Sequence, residues 1–74
     1  MKVNVKLFSS LQRDRFIIGN YNGAATLTVR DVLASLRIPE EEAAVIFING
    51  RDRDVDAVIR DGDTLAVFPP VGGG

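Results

Sequence analysis

Thr28-Val29-Arg30-Asp31-Val32-Leu33-Ala34-Ser35-Leu36 decides the fold, because it is the one segment of this sequence with a good helical period. Val29, Val32, Leu33 and Leu36 recur at i, i+3, i+4 and i+7, which lays a single apolar stripe along a helix. Thr28 offers a hydroxyl to cap the first turn, and Asp31 places negative charge near the positive end of the helix dipole. Pro39 lacks an N–H and disfavours helical geometry in Ile38, so the helix is expected to end by about Arg37. Glu40-Glu41-Glu42 can add one further turn or remain a solvated charged loop.

On either side of this helix the pattern is that of strands. Lys2 to Phe8 alternates, with Val3, Val5 and Leu7 on one side and Lys2, Asn4 and Lys6 on the other, the period of a half-buried strand. Phe16-Ile17-Ile18 before Gly19-Asn20 reads as a second strand able to pair back on the first as an antiparallel hairpin, with its register open. Asn20 to Thr26 is turn-like, and Asn22-Gly23 is the expected point of reversal. After the helix, Ala44 to Ile48 is an apolar run ending in Asn49-Gly50, the dipeptide that favours the positive φ angles of a tight hairpin. The returning arm, Arg51 to Asp56, is highly charged and fits a short edge strand whose charges discourage pairing with another molecule. Asp61-Gly62-Asp63 then turns the chain into Thr64 to Phe68, with Leu65 and Val67 inward and Ala66 and Phe68 outward. Pro69-Pro70 stops that strand.

Two strands, a helix and two or three more strands predict an α+β domain with one main helix on one face of a mixed four- to five-stranded sheet. That is the β-grasp, or ubiquitin-like, arrangement, in which the first and last strands lie side by side and parallel in the centre. Residues 1–70 are expected to form this domain and residues 71–74 a flexible glycine-rich tail.

The 74 residues allow one domain at most. With 46% hydrophobic and 26% charged residues the composition is that of a folded globule. No apolar run approaches the length of a membrane span, and Met1-Lys2-Val3-Asn4-Val5 alternates rather than forming a signal block, so a cytoplasmic location without membrane attachment is expected. Nine Lys and Arg against ten Asp and Glu leave a formal charge of −1, with no basic stripe, which argues against nucleic-acid binding. There is no Cys and no His, so thiolate catalysis, zinc sites and imidazole acid–base chemistry are excluded from this chain.

The remaining chemistry is sparse. Asp52, Asp54, Asp56 and Asp63 imitate the spacing of a calcium-binding loop, but Ala57 stands where that loop needs Gly and Asp63 where it needs a bidentate Glu. A solvated edge, with Arg51, Arg53 and Arg60 interleaved to neutralise it, is the better account. Glu40, Glu41 and Glu42 have no apolar neighbours to tune an acid. Ser9 and Ser10 have no histidine to activate them, and Lys2 and Lys6 lack an apolar setting. No catalytic residue, bound metal or bound cofactor is expected.

One group is left, at the end of Phe68-Pro69-Pro70-Val71-Gly72-Gly73-Gly74. The stiff Pro pair makes the glycines project from a fixed point. Residues without Cβ can enter a narrow channel and take whatever backbone angles it imposes, so this tail suits delivery of a carboxylate into another protein's active site. From Val71 to Gly74 the extended reach is about 14 Å. Phe68, with Ala66, Pro69, Pro70 and Val71, would form an apolar docking patch at the tail's exit. Phe8 either joins that patch or folds into the following loop and is buried.

The whole chain resembles the ubiquitin-like sulfur carriers of the MoaD/ThiS type, which include the small subunit of molybdopterin synthase and the thiamine-pathway carrier. The resemblance rests on Leu7-Phe8, Thr28-Val29-Arg30-Asp31-Val32-Leu33, Ile48-Asn49-Gly50, Asp61-Gly62-Asp63 and Val67-Phe68-Pro69-Pro70-Val71-Gly72-Gly73-Gly74. The Phe-Pro-Pro-Val stretch looks like the molybdopterin branch, whereas Gly72 stands where those carriers more often have Thr or Ser. The resemblance implies that a separate ubiquitin-activating-type enzyme uses ATP to adenylate the Gly74 carboxylate. A sulfur donor protein then supplies the sulfur of a C-terminal thiocarboxylate. In the molybdopterin case Val71, Gly72, Gly73 and Gly74 enter the large subunit of the synthase, where the sulfur is donated, and the carrier is its non-catalytic small subunit. Relatives also serve thiamine thiazole formation or tRNA thiolation, or are conjugated to lysines as modifiers through the same terminal glycine.

Overall fold

Alternation in β1 (Lys2–Leu7) buries Val3 and Val5 completely, while Lys2 and Lys6 stay exposed. In the computed structural model, which describes residues 1–8, 15–22 and 26–70, β2 (Arg15–Asn20) returns antiparallel to β1 with Lys2 opposite Asn20 and Lys6 opposite Phe16. Gly23, the second residue of the expected Asn22-Gly23 reversal, lies outside the described residues.

β3 (Leu27–Thr28) leads directly into α1 (Val29–Ser35). The Thr28 hydroxyl accepts from the Asp31 N–H at 3.3 Å, and the Asp31 carboxylate accepts from the Thr28 N–H at 3.0 Å, which completes a capping box. Val29, Val32 and Leu33 form the buried stripe, with Leu36 packed at its end. The helix stops before Pro39 for a second reason as well. Arg37 turns left-handed at φ 58°, its N–H reaches Ala34 O at 3.1 Å, and the Ile38 N–H reaches Leu33 O at 2.9 Å. These two bonds satisfy carbonyls that the end of a helix otherwise leaves open. Glu40–Glu42 then makes a single 3₁₀ turn.

β4 (Val45–Ile48) and β5 (Arg51–Arg53) form the expected hairpin, with Asn49 at φ 53° and Gly50 at φ 81°. Those two positive angles match the twist of the flanking strands. The charged arm is shorter as a strand than the run to Asp56 suggested, because Asp54 Oδ1 accepts from the Asp56 N–H at 2.9 Å and turns the backbone out of the sheet. β6 (Val58–Ile59) pairs antiparallel with β3 as a separate two-stranded unit. After Gly62 at φ 84°, β7 (Thr64–Phe68) runs through the middle of the main sheet.

The main sheet has the order β2-β1-β7-β4-β5. β1 and β7 are parallel, with Val5 opposite Leu65 and Leu7 opposite Val67, and the other pairs are antiparallel. This is the β-grasp arrangement, a mixed five-stranded sheet with one main helix. Val3, Val5, Ile46, Ile48, Leu65 and Val67 on the sheet meet Val29, Val32 and Leu33 on the helix in one buried cluster. Each fully buried aliphatic side chain contributes about 1.5–3 kcal/mol relative to exposure. Among the described residues no helix is long and apolar enough to cross a membrane.

Candidate functional site

The other face of the same sheet has no helix. Residues directly opposite one another in a sheet share a face, so the pairs Lys6–Ala66, Phe47–Ala66 and Val45–Phe68 put all five residues on the side away from α1. Ala66 and Phe68 therefore point outward as expected from the alternation in Thr64–Phe68. Phe8 continues the ladder one residue past β1, its N–H donating to Val67 O at 3.0 Å. Its ring lies flat against Phe68, with centroids 4.4 Å apart and planes 3° from parallel. The open question about Phe8 is thus decided by Phe68: half-buried, Phe8 joins the patch instead of folding away.

Phe47 meets the Phe68 ring edge-on, with centroids 5.8 Å apart and an interplanar angle of 88°. Phe68 sits between the two other rings, and aromatic pairs of this kind add about 0.5–1.5 kcal/mol each beyond burial. Its carbonyl also accepts from the Ala44 N–H at 3.0 Å. The last residue of β7 is therefore held by its ring and its backbone, right up to half-buried Pro69 and exposed Pro70. Val71, Gly72, Gly73 and Gly74 lie outside the described residues.

The patch is wider than Phe8, Ala66, Phe68, Pro69 and Pro70. Val45 and Phe47 on β4 join it, and Phe16 and Ile18 on β2 share the same face, each 59% exposed. A shallow hollow bordered by Lys6, Phe8, Arg15 and Phe16 connects the two parts. A signal for these residues stands in the sequence: Val45-Ile46-Phe47-Ile48 and Phe16-Ile17-Ile18 are apolar at every position instead of alternating. One helix covers only one face, so such strands must expose apolar side chains on the other.

The groups with displaced titration lie elsewhere. The Thr28 N–H, and after it the Thr28 hydroxyl, holds the Asp31 carboxyl below its ordinary range. Hydrogen bonds to Glu40 and then Asp56 raise Arg30, which forks between the two carboxylates and ties the helix to the loops at either side. Asp56 is thus paired with Arg30, not with the interleaved Arg51, Arg53 or Arg60. Asp63 accepts from Asn49 Nδ2 at 2.9 Å and from the Arg60 N–H at 2.8 Å. Among the described residues no three carboxylates converge as a metal site would need. The exposed Asp52, Asp54 and Asp56 belong to a strand and a turn, not to a calcium loop.

An aromatic patch left uncovered at the end of β7, on a β-grasp body, is the arrangement of a small ubiquitin-like protein. The chain belongs to the ThiS family, whose model matches residues 19–74. It is a ThiS/MoaD-type sulfur carrier or ubiquitin-like protein, and the small carriers of this family are non-catalytic. Among solved structures it is similar to SAMP1 from Haloferax volcanii, with 26% identity over the whole of both chains and a TM-score of 0.74. It is also similar to the HVO 2177 protein of Haloferax volcanii, with 25% identity over all of this chain and 87% of that one and a TM-score of 0.66. A third similar chain comes from the complex of subunits 1 and 2 of molybdopterin-converting factor from Helicobacter pylori, with 27% identity, full coverage of both chains and a TM-score of 0.58. No curated protein matches the sequence.

Proposed function

We propose that this protein is the sulfur carrier of molybdopterin biosynthesis and that its reactive group is the carboxylate of Gly74. A ubiquitin-activating-type partner binds ATP, the carboxylate attacks the α-phosphorus, and pyrophosphate leaves. Sulfur delivered at the sulfide level by a donor protein then attacks the acyl carbon, the bond to AMP breaks, and a thiocarboxylate is left. The sulfur of that thiocarboxylate is transferred to the pterin precursor inside the large subunit of molybdopterin synthase, and hydrolysis returns the Gly74 carboxylate. Beyond that terminal group the carrier supplies no acid, base or nucleophile of its own. It supplies a docking face at Phe8, Phe47, Ala66, Phe68 and Pro69, and a stiff exit at Pro69-Pro70 that aims Val71–Gly74 into the partner.

The observation that carries this reading is the family match over residues 19–74, which includes the Phe68-Pro69-Pro70-Val71 base and the three glycines. The Helicobacter pylori relative, solved as a complex of the two subunits of molybdopterin-converting factor, supports the choice of branch. Gly72, in place of the Thr or Ser more usual in that branch, favours the second reading, a modifier linked through Gly74 to substrate lysines or a carrier for thiazole or tRNA sulfur.

The test is mass spectrometry of the C-terminal peptide after incubation with an adenylating enzyme, ATP and a sulfur donor. An oxygen-to-sulfur increment that disappears when Gly74 is deleted is the expected result. A branched peptide joining Gly74 to a lysine, without that increment, would replace the first reading with the second.

A further inference from the structure

The helix-facing side of the sheet is not covered as far as its β5 edge. Ile46 is opposite Arg53 and Ile48 is opposite Arg51, so both arginines lie on the helix side of the last strand, where all three residues are exposed. The hollow they border extends to Val58 and Arg60 and ends at Asn49 and Asp63. Val58 is 53% exposed. Three guanidinium groups thus face one carboxylate, and both Asp63 oxygens are already occupied by Asn49 and the Arg60 N–H. Among the described residues the ion pairs are those of Arg30 alone. The lining of this hollow thus holds three arginines and one carboxylate, while Asp52, Asp54 and Asp56 border the adjoining hollow that shares Arg53 and Ala57.

The arrangement follows a strand instead of encircling a point. Arg51 and Arg53 are two residues apart on one face, a spacing of roughly 6.5–7 Å, which is also the spacing of alternate side chains in an extended peptide. Guanidinium groups pair with carboxylates through two parallel hydrogen bonds. Beside them lies the open backbone edge of the sheet. We propose that this hollow docks an extended acidic segment of a partner protein. Alternate Asp or Glu residues of that segment meet Arg51 and Arg53, Arg60 faces them from the β6 side, and Val58 receives an apolar side chain. The same charges repel the β5 edge of a second copy, so they deter self-pairing while selecting an acidic partner. This surface lies on the opposite side of the sheet from Phe68 and does not rest on the sulfur-carrier reading.

The experiment is an amide chemical-shift titration of the full chain at low salt with a synthetic peptide of alternating glutamate and valine. Its control is the same peptide with glutamine for glutamate. The expected result is saturable shifts confined to Arg51–Arg53 and Val58–Arg60, weakened by salt and weakened about tenfold in the R51Q/R53Q variant. Phe68→Asp is expected to leave this binding unchanged. The single variant R60Q gives an independent measure should the double variant unfold. Equal shifts with the glutamine peptide, undiminished binding in both arginine variants, or tighter binding of tripolyphosphate than of the acidic peptide at these amides would each overturn the proposal. If the arginines only cover the apolar rim of β4 with their stems, the shifts do not saturate.

Discussion

The two faces of β4 and β7 are built from similar residues and meet opposite surroundings. Ile46, Ile48, Leu65 and Val67 are buried beneath α1, whereas Val45, Phe47, Ala66 and Phe68 look outward with no helix above them. Both faces are apolar, yet only the first is needed to close the core. The outward rings are ordered chiefly by one another, through the stack of Phe8 on Phe68 and the edge contact of Phe47. Large apolar groups on an uncovered face are what the proposed docking surface needs, and the difference separates residues that close the core from residues that are free to meet a partner.

The strongest way to break this comparison is a truncation on each side. Leu65→Ala opens a cavity under the helix and is expected to cost about 2–5 kcal/mol, measured by chemical denaturation. In a chain of this size that loss approaches the whole stability. Phe68→Asp is expected to leave the fold in place, checked by circular dichroism, while lowering thiocarboxylate formation about tenfold or more, the loss expected when a central interface aromatic is removed. Phe16→Asp, at the far end of the same face, should reduce transfer less and leave the melting temperature nearly unchanged. An inner-face loss below about 1 kcal/mol, or full transfer by the Phe68 variant, would erase the distinction between the faces.

Smaller changes sharpen it at the helix ends. Thr28→Ala removes the hydroxyl that caps the first turn and should cost about 1 kcal/mol. The Asp31 side of that box has a definite pH signature. Its carboxyl is held below the ordinary range in the folded protein, so its stabilisation is fully present above the unfolded carboxylate range and is lost as pH falls through the lower folded value. The stability gap between the native chain and Asp31→Asn should therefore be constant near neutrality and close on strong acidification, measured by denaturation at stepped pH. Arg37→Gly relieves the left-handed backbone at φ 58° and is expected to raise stability by up to about 1 kcal/mol.

Much of the fold was legible because its signals are local. Thr28 and Asp31 mark the helix start, Asn49-Gly50 needs two positive φ angles, and the Lys2–Phe8 alternation sets which side chains go inward. β3 and β6 were not legible, since two-residue strands carry no period and exist only where Leu27 meets Ile59. The helix end by about Arg37 was legible from Pro39, but the left-handed turn at Arg37 was not, because an arginine there is held by its bonds to the preceding turn. At the candidate site, Phe68 could be assigned outward from its own strand, but Phe8 could not. Its position depends on a ring sixty residues away in the chain. Phe47 and Val45 were missed although an unbroken apolar run announced a strand apolar on both sides.

By itself the amino-acid sequence determined the chemistry at hand: no Cys, no His, nearly balanced charge, and three glycines following Pro69-Pro70-Val71. It also determined the order of strands and helix, because capping, alternation and turn chemistry act over a few residues. Only the tertiary structure decided which distant residues share a surface. Parallel pairing of β1 with β7 brings Phe8 onto Phe68, and the β4–β5 register sends Arg51 and Arg53 to the helix side. Those outcomes depend on strand register across the sheet, a long-range choice that no short stretch of sequence encodes.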